Sequence, residues 1–146
     1  MSDWRVNLVT SAEGIARVVR EGKRIAVLGI KTEAQRDQPA FYVPEYMARA
    51  GYDILPVPVY YPDVTLILGQ PVYRTVSAVP GPVDMVDIFR RPKDIPPHVD
   101  DILAARPRVV WLQLGIRHDQ AAETFARAGI QVVQDRCLLV EHRRLR

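Results

Sequence analysis

A parallel, doubly wound α/β sheet of five strands flanked by helices is the architecture this chain predicts, on three observations. Apolar, β-branched runs recur at residues 24–30, 52–59, 83–89, 108–114 and 130–135. Stretches of helical periodicity, closed by glycine or proline, lie between them, so strand and helix alternate. The runs "RIAVLGI" and "RVVWLQL" are apolar on both faces rather than alternating, as strands covered by helices on each side require. With short joints and right-handed crossovers, this order is a mainly parallel, Rossmann-like fold in a single domain over 1–146, its core at about 23–142.

Each element has a local reason. Thr10 and Glu13 have capping-box spacing, and Ile15, Val18 and Val19 continue at helical intervals until Gly22, which predicts a first helix over about 11–22. Pro39 suits the first turn of a second helix, "PAFYVPEYMARA", in which Pro44 is expected to kink the helix or delay its start. In the second strand, "YDILPVPV", Pro56 and Pro58 cannot donate to a ladder and are expected at its carboxyl end. Residues 60–82 are rich in Pro, Gly and Tyr and predict a loop with one helical turn near Thr75–Ala78. After the third strand, "VDMVDIF", Asp94 or the Pro96-Pro97 pair opens a helix that ends before Pro107. A fourth strand ends at Gly115; "HDQAAETFARAG" is a helix closed by Gly129, and "IQVVQD" is the last strand.

Composition narrows the function classes. The 146 residues suffice for one ordinary core, and 48% hydrophobic with 25% charged residues is a normal globular balance. No apolar run approaches the roughly 20 residues that span a bilayer, and the N-terminus lacks a signal-peptide layout, so a cytoplasmic protein without a membrane partner is expected. Cys137 is the sole cysteine, which excludes an intrachain disulfide, and His98, His118 and His142 are too scattered for a metal site. Net charge is +3, much of it in the terminal "EHRRLR", which reads as a solvated basic tail rather than a nucleic-acid contact.

In an open α/β sheet a ligand lies beyond the carboxyl ends of the strands, where strand order reverses. Those ends are Gly29-Ile30-Lys31, Val57-Pro58-Val59-Tyr60, Phe89-Arg90-Arg91-Pro92-Lys93 and Gln113-Leu114-Gly115-Ile116. Gly29 stands where a dinucleotide fingerprint would begin, but the two further glycines are missing; a polar stretch through Arg36 follows instead. The second strand ends in Val57 and Pro58 rather than the Asp or Glu that accepts the ribose diol of NAD, so an unmodified dinucleotide is disfavoured. Lys31, Arg36, Arg90, Arg91 and Lys93 would instead neutralise several phosphates beside an apolar ledge.

The segments "IAVLGI", "GYDILPVPVYYP", "VDMVDIFRRP", "VVWLQLGI" and "GIQVVQDRCLLVEH", in this order, resemble the successive motifs of the small CoA-binding-domain family, which is similar to the N-terminal CoA-binding domain of the succinyl-CoA synthetase alpha subunit. The resemblance implies coenzyme A as cofactor, its pyrophosphate at Gly29, Ile30 and Lys31, its adenine at Val57 and Pro58, and Phe89, Arg90 and Lys93 as the opposite wall. Two departures stand out. "YYPDVTLILGQPVY" is longer and more aromatic than the usual family loop, leaving the 3′-phosphate contact open; and the chain given does not include the synthetases' phosphohistidine domain, so ligase activity is not expected.

The expected function is therefore binding of coenzyme A or a short acyl-CoA without catalysis by the chain itself. The alternative is an NAD(P)-linked or acyl-CoA-processing enzyme component whose partner chain supplies the catalytic groups. The sequence leaves self-association and protein partners open. For several residues two readings stand side by side: Tyr60 and Tyr61 stack on adenine or pack on the sheet edge, Phe89 is wall or core, Cys137 is a reactive thiol or a small buried hydrophobe, and His118 is a base or a helix cap. Asp84 and Asp87 fall on opposite faces of one strand and cannot pair as acid and base; Asp87, if buried, calls for a partner such as helix amides or an arginine.

Overall fold

The computed structural model describes residues 3–145. Helix α1 (Ala12–Glu21) leads into β1 (Arg24–Leu28), α2 (Pro39–Arg49) and β2 (Asp53–Val57); a small hairpin, β3 (Leu66–Ile67) and β4 (Gln70–Pro71), then precedes β5 (Met85–Ile88). Helix α3 (Val99–Ala105), β6 (Val109–Leu112), α4 (Asp119–Arg127), β7 (Gln131–Val133) and α5 (Leu138–Arg143) complete the order. The main sheet runs β2-β1-β5-β6-β7, with every pair parallel. The predicted fold class is the observed one. Strand order reverses between β1 and β5, which puts the topological switch point at Gly29 and Phe89.

Alternation along the strands divides the core into two layers. Ile25, Val27, Met85, Val109 and Trp111 pack with Ile15, Phe41, Met47 and Leu138 from α1, α2 and α5. Ala26, Leu28, Val86, Ile88 and Leu112 pack on the other face with Ile102 and Phe125 from α3 and α4. Burial on both faces explains why these strands read as continuous apolar runs.

Several expectations are corrected. The first helix is capped by Ser11, whose hydroxyl accepts the Gly14 N–H at 3.0 Å, rather than by Thr10. Residues just before it are drawn out along the sheet edge, where the Val9 N–H donates to the Val132 carbonyl at 2.8 Å, so the cap falls one residue later. Pro44 does not delay α2. A proline cannot donate to the carbonyl four residues back, and that carbonyl, on Ala40, accepts the N–H of Lys31 at 3.1 Å instead. The interior proline thus fastens the loop after β1 to the first turn of α2. Pro56 lies inside β2, not at its end; β2 is an edge strand, where a missing donor is tolerated.

The 60–82 segment is more ordered than a loop. Leu68 and Gly69, with φ of 54° and 73°, form the two-residue turn of the hairpin. Arg74 donates to the carbonyls of Tyr60, Tyr61, Pro62 and Val64, and Glu33 Oε2 accepts the Leu68 N–H at 2.8 Å. The expected turn near Thr75–Ala78 is present, and Asp101 holds it by accepting the N–H groups of Val76 and Ser77. At the carboxyl end Arg143 and Arg144 are exposed, as expected of a solvated basic tail, but they close a helix, α5, that packs on α1 and α2, in which Leu138 and Leu139 are buried and the Tyr46 hydroxyl lies 2.8 Å from His142 Nδ1.

Candidate functional site

The parallel strands deliver their carboxyl ends to one rim. Gly29 follows β1 with φ +88°, and a Cβ there would collide with the carbonyl oxygen of Phe89 and lie 3.3 Å from Arg90 Cδ. The close approach that this glycine permits is to the neighbouring strand's backbone. The polar stretch that replaces the missing glycines forms a capped turn, in which Thr32 and Gln35 make a reciprocal capping box.

A cleft of about 430 Å³ opens across the ends of β1, β5 and β6 and reaches the residue before α5. Lys31, Phe89, Arg90 and Arg91 line it, with Gln38, Pro39, Ala40 and Tyr42 from the start of α2, Gln113–Ile116 beyond β6, and Cys137. Among the described residues no carboxylate lines it. The first turn of α2 has neither a side-chain cap at Gln38 nor an acidic residue; Pro39 carries no N–H, and the Phe41 N–H donates to the Gln38 carbonyl at 2.9 Å. Another hollow of about 380 Å³, at the β7 edge, contains Asp135 among its lining and lies away from the switch point.

Arg90 is the central group. Its Nη1 is 3.5 Å from the Tyr60 hydroxyl, its guanidinium carbon is 5.6 Å from that ring's centroid, and its Nε is buried with no hydrogen-bond partner among the described residues. The hydrogen bond from Arg90, and then its charge, hold the Tyr60 phenol below its ordinary pKa. Burial, reinforced by the same guanidinium, lowers that of His98. Arg91, by contrast, is paired with Asp94 at 2.8 Å.

Of the residues expected at the site, the structure brings Lys31, Phe89, Arg90 and Gly115 into the cleft and sets Gly29 and Tyr60 against Arg90. The others lie elsewhere. Ile30, Val57 and Pro58 are buried; Ile30 and Val57 belong to the core layers, so an adenine shelf made of Val57 and Pro58 side chains is not exposed. Arg36 is exposed beside Glu45 at 3.5 Å, and Lys93 is exposed on a short turn; neither lines the cleft.

His118 caps α4, its Nδ1 accepting the Ala121 N–H at 3.0 Å. Asp87 is buried with both carboxyl oxygens unpartnered among the described residues, and burial pushes its pKa well above the usual carboxylate range. The helix amides or arginine expected for it are absent there because its neighbours across the sheet, Val27 and Trp111, face an apolar layer. The sequence places Gln113 at a strand end but marks no role for it, although a glutamine closing "VVWLQ" is a polar group in an apolar strand. The start of α2, which no local motif marks as part of a site, was missed.

The profile of the CoA binding domain matches residues 23–143, from before β1 to the end of α5. The chain belongs to the CoA binding domain family. It is 30% identical over 128 residues, 88% of this chain and 91% of the relative, to the uncharacterized protein YneT of Bacillus subtilis. A solved structure, cell-free ID.343 from Thermus thermophilus, is 38% identical and superposes with a TM-score of 0.85, covering 94% of this chain and 100% of that one. The CoA-binding domain fold also recurs within a larger chain, a dinucleotide-forming acetyl-coenzyme A synthetase of Ca. Korarchaeum cryptofilum complexed with phosphate and ADP. That match has a TM-score of 0.63 at 15% identity over 80% of this chain and 27% of that one. Among the described residues no helix is long and apolar enough to cross a membrane.

Proposed function

We propose that this protein binds coenzyme A, or a short acyl-CoA, in the cleft across the ends of β1, β5 and β6, and performs no chemistry on it alone. The observation that carries this reading is Arg90: a guanidinium with a buried, unpartnered Nε in a cleft that has cations and no carboxylate. An unpaired buried donor is costly, and a phosphate oxygen is the acceptor that suits it. Lys31 lines the same cleft as a second cation, its backbone held by Ala40. Tyr60, 58% exposed beside Arg90, offers a ring for adenine in place of the buried Val57 and Pro58.

Titration followed by thermal unfolding tests the reading. Coenzyme A raises the melting temperature with the logarithmic concentration dependence of linkage, NAD leaves it nearly unchanged, and dephospho-CoA reports whether the 3′-phosphate is bound. An equal response to NAD and coenzyme A would sink it. A second reading, a subunit whose partner supplies the catalytic groups, is favoured by the recurrence of this fold as about a quarter of a synthetase chain. Turnover of an acyl-CoA by the isolated chain contradicts both readings.

A further inference from the structure

Resting on the binding reading above, we propose that Gln113 recognises the pantetheine arm of the carrier by donating its side-chain amide to one of the arm's amide carbonyls. Gln113 follows β6, only 3% exposed, on the face of the sheet that Trp111 also occupies. Its Oε1 accepts the Leu138 N–H at 3.1 Å, which fixes the orientation of the amide. The Nε2 is therefore turned away from Leu138, it has no hydrogen-bond partner among the described residues, and the side chain lines the cleft. The oxygen is accounted for by the Leu138 N–H, and the Nε2 is the part of the side chain left for a ligand.

The cleft is chemically graded along the strand order. Lys31, Arg90 and Arg91 stand at the β1 and β5 ends, whereas Gln113, Leu114, Ile116 and Cys137 stand at the β6 end and beyond β7. Three strand intervals make this about 14 Å, at about 4.8 Å each. Leu114, 68% exposed, gives the second half an apolar surface. A ligand with phosphates at one end and a largely apolar arm punctuated by amides at the other matches this gradient. The arm's thiol then lies toward Cys137, on the side of the cleft away from Lys31.

The test compares coenzyme A with adenosine 3′,5′-bisphosphate, which lacks the arm, by calorimetric titration of the whole chain. Gln113→Glu keeps the oxygen that accepts from Leu138 and replaces the donor by a second acceptor. Gln113→Met removes both and strands the Leu138 N–H, so thermal unfolding of each variant without ligand is measured to show that it is folded. The expected result is a loss of coenzyme A affinity at least tenfold greater than any loss for the bisphosphate. Equal losses for the two ligands, or no loss for either, overturn the inference while leaving the cleft reading in place. Wild-type protein that binds neither ligand overturns both.

Discussion

The two ends of the main sheet treat their polar groups in opposite ways. At the amino end, Asp84 Oδ2 accepts the N–H groups of Lys23 and Arg24 at 3.1 and 2.9 Å, and the Arg24 guanidinium is spent on the carbonyls of Pro80 and Pro82. At the carboxyl end, Arg90 Nε and Gln113 Nε2 lack partners among the described residues, Lys31 has no carboxylate beside it in the cleft, and α2 begins without a side-chain cap. One end is closed by its own hydrogen bonds; the other keeps donors over. The buried donor left at this rim, Arg90 Nε, lowers the stability of the empty protein and is available to a ligand.

The four residues 84–87 carry a contrast of their own, from the satisfied Asp84 just before β5 to the orphaned Asp87 within it, and Asp87 gives the largest expected effect. Its pKa is raised in the folded state, so its stabilising share is complete below the unfolded value near pH 4 and is lost as pH rises toward the folded value. Wild-type stability should therefore fall by up to about 1.4 kcal/mol per pH unit from this group across that window. Asp87→Asn should remove that slope, as urea midpoints at several pH values would reveal; parallel slopes in the two proteins would mean that the carboxyl has found a partner.

Gly29→Ala comes next, because it combines a positive φ with the Phe89 carbonyl in its path; a loss of about 2–4 kcal/mol of stability is expected by denaturant unfolding. Arg90→Ala should weaken coenzyme A binding by about 1–3 kcal/mol without destabilising the empty protein, and unchanged affinity removes it from the site. The smallest effect belongs to the closed end: Asp84→Ala should cost about 1–2 kcal/mol of stability and leave coenzyme A affinity where it was. If the last two variants exchanged these signatures, the contrast between the rims would be lost.

The sheet was legible because its information is local. Apolar runs of four to eight residues bounded by Gly and Pro declare buried strands wherever they occur, and the strand ends follow from them. The rim was legible for the same reason, and Lys31, Phe89, Arg90 and Gly115 do share a cleft. The hairpin was hidden because Leu68 is not a residue that signals a turn with positive φ, and α5 because its basic residues masked the buried Leu138 and Leu139.

The sequence by itself determined the fold class, the family and which strand ends meet at the rim, since each rests on period, composition or ordered motifs. Only the tertiary structure decided which rim residues face one another. It buried Val57 and Pro58, paired Arg91 with Asp94, left Arg90 Nε unpaired, and turned the missing N–H of Pro44 into an anchor for Lys31. Partnership of polar groups depends on residues distant in the chain and brought together only when the sheet order and helix placement are set, which no local pattern carries.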